Sequence, residues 1–317
     1  MEKNFKGRHL ALVSDFSREE IEFLFKYADN LKHRQKMGAL HDNILRGRTL
    51  AMIFEKSSTR TRVSFEVGMI QLGGASLYLS SSDLQLGRGE TVADTARVLS
   101  RYVDGIMARV SSHSTIEELT ENSAVPVING LSDKAHPCQA LADMLTIREK
   151  LKSLKGVRMA YVGDGNNVAN SLVSAASILG VHLTLAVPEG FEPDSGFLDA
   201  AAHRARESGA RIYLTHDPVE AVTGVNVIYT DVWTSMGQEE EADGRRSKFA
   251  AYRVDNGLLK VAAPEVMIMH CLPAHRGEEI TDEVIDGPNS AVWDQAENRL
   301  HIQKAILSLV MSAGHTI

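Results

Sequence analysis

The sequence predicts an α/β protein of two domains, each a parallel β-sheet flanked by helices. Three observations lead there. Short apolar runs alternate with stretches of helical periodicity along the chain, and such alternation implies parallel strands with helices on both faces. The alternation restarts after a helical stretch that ends near residue 151. With 317 residues, at about 100–200 residues per domain, two domains are the expectation.

The elements follow in order. Ser17 and Glu20 have the spacing of a capping box, and Ile21, Leu24, Phe25, Ala28 and Leu31 mark one face of the helix they open. Leu50-Ala51-Met52-Ile53-Phe54 reads as a buried strand, followed by a helix from about Thr59 to Leu72. Leu77-Tyr78-Leu79 is the next strand, and Val92, Ala96, Leu99 and Val103 space as a helix. Ile106-Met107-Ala108 is a strand, Ser114 with Glu117 opens a helix, and Val125 to Ile128 is a strand. A helix from about Gln139 to Leu151 bridges the two halves. Then come the strand Met159 to Val162, a helix from beyond Gly163 to Leu179, and strands at Leu183–Val187, Ile212–Leu214, Val225–Tyr229 and Val266–Met269. Ile302, Ala305, Ile306, Leu309 and Val310 mark a final helix. The division expected is a first domain over 1–135, a bridging helix over 136–151 and a second domain over 152–299, with a last helix over about 300–317.

Hydrophobic residues make up 44% and charged residues 24%, an ordinary soluble balance. A net charge of -7 argues against nucleic-acid binding through bulk charge, and no nucleic-acid partner is expected. A local group of arginines can still make a positive cleft on an acidic protein. Two cysteines, Cys138 and Cys271, build no disulfide framework. Met1 to Arg8 lacks an apolar signal core, and no run approaches 18 apolar residues. The expectation is a cytoplasmic protein without a membrane partner.

In parallel sheets, ligands sit beyond the carboxyl ends of the strands. Ser57-Ser58-Thr59-Arg60-Thr61-Arg62 stands at the first such end and opens a helix. Backbone N–H groups at a helix start carry partial positive charge and suit phosphate. The hydroxyls of Ser58, Thr59 and Thr61 and the guanidinium fork of Arg60 can add to that. A plain capped helix with solvated arginines has the same letters. Arg109 ends the third strand, where it reads equally as a surface arginine. His136-Pro137-Cys138-Gln139 opens the bridging helix with two hydrogen-bonding side chains, or is only a polar helix start. Together these three strand ends each offer a donor to an oxyanion.

The second half offers different groups. Gly163-Asp164-Gly165-Asn166-Asn167-Val168 resembles a dinucleotide turn, but Val168 stands where the third glycine belongs. Asn166 and Asn167 offer amides to a polar ligand. Asp231, beyond the strand ending at Tyr229, can bind an ammonium group. The Glu239–Glu241 run reads as a solvated loop. In His270-Cys271-Leu272-Pro273, Cys271 is a nucleophile, a metal ligand, a site-lining thiol or plain core. Zinc held by His136, Cys138, His270 and Cys271 matches no short ligand spacing, so no metal and no cofactor are expected. Arg299, at the start of the last helix, either reaches an anion or lies on the surface.

These motifs, in order along nearly the whole chain, resemble those of the aspartate/ornithine carbamoyltransferase family. Ser58-Thr59-Arg60-Thr61-Arg62 is similar to the family's carbamoyl-phosphate signature. His136-Pro137-Cys138-Gln139, Asp231 with Ser235-Met236-Gly237, and His270-Cys271-Leu272-Pro273 resemble its ornithine branch. The resemblance implies a two-domain α/β fold whose last helix returns to the first domain. It implies carbamoyl phosphate held by Ser58, Thr59, Arg60, Thr61, Arg109, His136 and Gln139, with Cys271, Leu272 and Arg299 closing around it. Gln85, in the loop from Asp83 to Glu90, resembles a residue that reaches a neighbouring subunit's site, which implies a homotrimer or an assembly of trimers. Ornithine is implied at Asn167, Asp231, Ser235 and Met236, and the catalytic set at Arg60, Arg109, His136, Asp231 and Cys271. Rival readings are an aspartate or acetylornithine transferase, a nucleotide-dependent oxidoreductase built on Gly163-Asp164-Gly165, and a non-catalytic anion binder. Arginine synthesis and arginine breakdown would use the same chemistry.

Overall fold

Alternating strands and helices do fold here into two parallel sheets, seen in a computed structural model that describes residues 5–81, 84, 89–234 and 242–312. The described residues form two compact units. Unit 1 takes residues up to Ala142 and from Arg299 onward, and unit 2 takes Asp143–Asn298.

In unit 1, helix α1 (Arg18–Lys36) begins with the expected box: Ser17 Oγ accepts from Glu20 N, and Glu20 accepts from Ser17 N at 2.8 Å. Its predicted face, Ile21 to Leu31, is buried. Strand β1 (Thr49–Phe54) leads into α2 (Thr59–Gln71), then β2 (Ala75–Ser80), α3 (Val92–Leu99), β3 (Gly105–Arg109), α4 (His113–Asn122) and β4 (Val127–Leu131). Helix α4 is capped by Ser112, two residues before the expected Ser114. The strand order is β2-β1-β3-β4, all parallel. Each sheet strand flanked on both faces reads as a continuous apolar run, and β1 and β3 are buried over nearly their full length. The N-terminal segment closes the β4 edge, with Leu10 N donating to Val127 O at 2.8 Å and Asn129 N to Leu10 O at 2.8 Å.

Helix α5 (Pro137–Leu151) contains the division between the units after Ala142. In unit 2 follow β5 (Arg158–Val162), α6 (Asn167–Leu179), β6 (His182–Ala186), α7 (Ser195–Ser208), β7 (Ile212–Thr215), α8 (Pro218–Val222), β8 (Val227–Thr230), α9 (Ala242–Phe249), α10 (Asn256–Leu259), β9 (Met267–His270) and α11 (Asp282–Ile285). Their sheet order is β7-β6-β5-β8-β9, again all parallel. Helix α7 has only Ala201 buried, so it carries no apolar stripe that periodicity could reveal.

The last helix, α12 (Val292–Met311), starts earlier than the expected residue 300. Its first turns bury polar groups, not an apolar face: in unit 2, Gln295 donates to Asp143 at 2.8 Å and Asn298 to Thr146 at 3.0 Å. From Arg299 onward it packs in unit 1. Lys304 Cγ would lie 3.3 Å from a Cβ at Gly68, and Lys304 Nζ donates to Gln35 and Gln71, both at 2.8 Å. The expected return of the last helix to the first domain is present. Among the described residues, no helix is long and apolar enough to cross a membrane.

Candidate functional site

A parallel sheet opens a crevice where its strand order reverses. In unit 1 the reversal lies between β1 and β3. The helix that leaves β1 is α2, capped by Ser58, whose Oγ accepts from Thr61 N at 3.3 Å. Arg60 is exposed on the first turn and Thr61 is buried. Arg62 is engaged elsewhere, donating to Glu66 at 2.9 Å and lying 4.0 Å over the Tyr78 ring.

Beside it, Arg109 ends β3 and is only 5% exposed. The β3–β4 register shifts between Ala108 and Arg109. Such a bulge re-aims the side chain at that point. Gly130, opposite the shift, leaves space for the Met107 side chain, since a Cβ there would lie 2.5 Å from Met107 Sδ.

His136, just before α5, is buried. Burial holds its imidazole well below the usual 6.5, and the charges of Arg299, Arg109 and Arg60 push it the same way. All four groups belong to unit 1, so the sequence-predicted residues Arg60, Arg109, His136 and Arg299 do share one electrostatic neighbourhood. Arg299 is held by Gln139 Oε1 at 2.6 Å and Thr61 Oγ1 at 3.4 Å. With its amide turned to satisfy both neighbours, Gln303 accepts from Arg299 Nη2 at 3.0 Å and donates to Ser64 Oγ at 2.6 Å. Gln303 carried no signal in the sequence, since a polar residue on an apolar-periodic helix looks like a solvated position. Cys138 points into the core. Its thiol donates to Asn129 O at 3.6 Å and is pushed up to about 12, first by burial, which makes it inert.

In unit 2 the strand order reverses between β5 and β8, and two side chains meet across it. Asn166 Nδ2 donates to Asp231 Oδ2 at 2.8 Å. The same Asn166 caps α6, its Oδ1 accepting from Val168 N at 2.9 Å and Ala169 N at 3.2 Å. Its neighbour Asn167 is the first residue of α6 and half-buried. Asp231 Oδ1 accepts from Val232 N at 2.8 Å and from Cys271 Sγ at 2.9 Å. Burial, and then the Asp231 carboxylate, hold the Cys271 thiol well above its usual range. It is a protonated donor, not a thiolate nucleophile.

Leu272 follows in the left-handed region at φ 59°. Asp231, His270 and Cys271 approach closely enough to suggest a metal, as do His275, Glu278 and Glu279. His270, however, has both ring nitrogens committed, to Glu279 at 3.0 Å and to Leu272 N at 2.8 Å. Tyr161 OH and Arg245 both bind Asp164, at its backbone O and its carboxylate respectively.

The glycine turn does a different job from a dinucleotide loop. A Cβ at Gly165 would lie 2.3 Å from Pro193 N and 2.4 Å from Glu192 C. The close approach that a pyrophosphate would need is taken by the 191–193 backbone, and the first α6 amides are taken by Asn166. Three expected site residues, Gln85, Ser235 and Met236, lie outside the described residues.

The four-stranded unit thus carries an arginine-histidine cluster suited to an anion, and the five-stranded unit a carboxylate-thiol pair suited to a cationic group. Residues 8–149 match the family model for the aspartate/ornithine carbamoyltransferase carbamoyl-P binding domain. Residues 155–310 match that for its Asp/Orn binding domain. The chain belongs to the aspartate/ornithine carbamoyltransferase family. It is 58% identical over 313 residues to an ornithine carbamoyltransferase of Pyrococcus abyssi, covering 99% of this chain and 98% of that one. It is 60% identical over 305 residues to an anabolic ornithine carbamoyltransferase of Pyrococcus furiosus, covering 96% of each. The crystal structure of the ornithine carbamoyltransferase from Pyrococcus furiosus superposes with a TM-score of 0.96 at 58% identity, over 99% of this chain and 100% of that one.

Proposed function

We propose that the protein transfers the carbamoyl group of carbamoyl phosphate to the δ-amine of L-ornithine, giving L-citrulline and phosphate. The observation that carries this reading is the Asp231–Cys271 pair at the strand reversal of unit 2, set beside full-length similarity to ornithine carbamoyltransferases. A carboxylate with a protonated thiol suits an ammonium-bearing chain, whereas an aspartate substrate needs cations for its second carboxylate.

Carbamoyl phosphate is assigned to Ser58, Thr59, Arg60, Thr61, Arg109, His136, Gln139 and Arg299. The arginines neutralise the phosphate oxygens with charge-assisted bonds. His136, held neutral by burial and its cationic neighbours, can donate to the carbonyl oxygen without carrying charge. Arg60 and Thr61 share that task. Preorganised donors of this kind are worth about 2.7–4 kcal/mol each when charge develops on the oxygen.

Ornithine is assigned to Asn167, Asp231, Ser235 and Met236, with Cys271 beside Asp231. The δ-ammonium, with a lysine-like pKa of about 10, releases one proton to solvent before the amine attacks. Asp231 orients the amine. The lone pair then forms the C–N bond, a tetrahedral oxyanion develops, and the C–O bond to phosphate breaks. Phosphate leaves with the proton from nitrogen, and no covalent enzyme intermediate forms. The resemblance of the Asp83-to-Glu90 sequence, with Gln85, to the family's subunit-reaching segment supports a homotrimer or an assembly of trimers, and two free cysteines support a cytoplasmic setting.

The test is direct: incubate the protein with carbamoyl phosphate and ornithine, aspartate or acetylornithine in turn, and measure phosphate and ureido product. Citrulline from ornithine alone is expected. No citrulline overturns the reading.

A further inference from the structure

Glu279 lies nine residues beyond the end of β9, is wholly buried, and has no task in the chemistry above. Its position is fixed by backbone: Glu279 O accepts from Val254 N at 2.8 Å, and its neighbour Ile280 bridges Val254. Its Oε1 receives two donors, His270 Nε2 at 3.0 Å and His275 N at 2.6 Å. Its Oε2 is buried and, among the described residues, has no partner. Burying half a carboxylate unsatisfied is costly, and such a group calls for an explanation.

The partnered oxygen, Oε1, shows what the carboxylate does here. His270 Nδ1 meets Leu272 N at 2.8 Å. A backbone N–H can only donate, so Nδ1 is the bare nitrogen and the ring proton sits on Nε2. Nε2–H in turn needs an acceptor, and Glu279 Oε1 is the acceptor it finds. The carboxylate therefore selects the tautomer that lets the imidazole grip the Leu272 amide. That grip acts where the backbone needs it: Leu272 holds φ 59°, a conformation that an ordinary L-residue keeps only where its surroundings over-determine it. Cys271 lies between the two residues so pinned, and its thiol reaches Asp231 at 2.9 Å. On the other side, Gln295 Oε1 accepts from His270 N at 2.9 Å and fixes the start of the same turn.

We infer that Glu279 is a positioning residue: through the His270 tautomer it holds the Cys271–Leu272 turn so that the thiol is aimed at Asp231. This rests on the reading of Asp231 and Cys271 as the amine-binding pair. A misplacement of about 1 Å at a reacting pair costs on the order of 100-fold in rate.

The test compares Glu279→Ala with Glu279→Gln by two readouts. One is kcat/KM for ornithine. The other is the rate at which iodoacetamide alkylates Cys271, mapped by mass spectrometry and needing no substrate. Cys138 is buried and does not interfere. Glu279→Gln keeps an oxygen facing His275 N and His270 Nε2, so both readouts are expected within about threefold of wild type. Glu279→Ala frees the thiol from Asp231, so alkylation is expected to rise at least tenfold while kcat/KM for ornithine falls on the order of 100-fold. A folded Glu279→Ala with wild-type alkylation and turnover overturns the inference. If that variant does not fold, Glu279→Gln decides: a folded Gln variant with a 100-fold loss means charge matters and aim does not, which also overturns it. A wild-type protein that makes no citrulline defeats the functional reading alone, because the alkylation comparison still reports the aim of the thiol.

Discussion

Asp231→Asn removes one charge and one acceptor while keeping the shape, so its consequences can be worked atom by atom. Oδ1 receives Val232 N at 2.8 Å and Cys271 Sγ at 2.9 Å, and Oδ2 receives Asn166 Nδ2 at 2.8 Å. An asparagine must keep its oxygen at the first position, because two donors meet there. Its NH2 then faces the NH2 of Asn166. Asn166 can turn over only by withdrawing Oδ1 from the α6 amides of Val168 and Ala169, which loses a helix cap worth about 1 kcal/mol. Leaving it unturned loses a bond to a charged group, about 1.5–3 kcal/mol. The cheaper of the two arrangements sets the result, a loss of about 1–2 kcal/mol in the stability of unit 2. The ammonium of ornithine loses its carboxylate as well, and the same 1.5–3 kcal/mol corresponds to roughly a 10- to 150-fold rise in KM for ornithine. Urea denaturation and steady-state citrulline formation measure the two effects. An unchanged ornithine KM, or a defect confined to carbamoyl phosphate, would refute the assignment of Asp231 to the amine.

Three further outcomes are expected. Arg60→Ala, on an exposed first turn, should leave the urea midpoint unchanged and lower turnover by roughly two to three orders of magnitude, the worth of one oxyanion donor; near-normal turnover removes Arg60 from the anion site. His136, held well below 6.5 in the fold, refuses a proton that the unfolded chain accepts. Its contribution is therefore present above the unfolded value and is lost as pH falls below it, by up to about 1.4 kcal/mol per pH unit. His136→Gln should flatten that part of the stability curve between about pH 5 and 6.5, and parallel curves for the two proteins would count against the assignment. Gly165→Ala pushes a methyl group against the backbone of Glu192 and Pro193 and should cost about 1–3 kcal/mol of unit 2 stability in urea; wild-type stability would show that the loop yields.

The anion half of the site was more legible in the sequence than the supports around it. Ser58, Arg60, Thr61, Arg109 and His136 stand at strand ends, where the rule for parallel sheets directs attention, and in the structure the charges of Arg60 and Arg109 act on His136. The residues that hold them were silent. Gln303 faces Arg299 from a helix read only for its apolar face, and Glu279 lies in a loop beyond the last strand. Gln303 sits one helical turn beyond Arg299 and ties it to Ser64, far off in sequence, while Glu279 reaches His270 across a turn; apolar periodicity marks neither link. Asn166 was read as offering its amide to a ligand, but half of that amide caps its own helix.

The sequence by itself determined the α/β class, the approximate positions of the nine strands seen among the described residues and the chemistry available at their ends, because side-chain period and strand-end residue type are local properties. It also carried the family motifs. Strand order was left to the tertiary structure, and with it the two reversals between β1 and β3 and between β5 and β8. Protonation was decided there too. A cysteine becomes an inert core thiol at 138 and a hydrogen-bond donor at 271, and a histidine stays neutral at 136, only once burial and neighbouring charges are in place. Those depend on distances through space, which a string of residues does not contain.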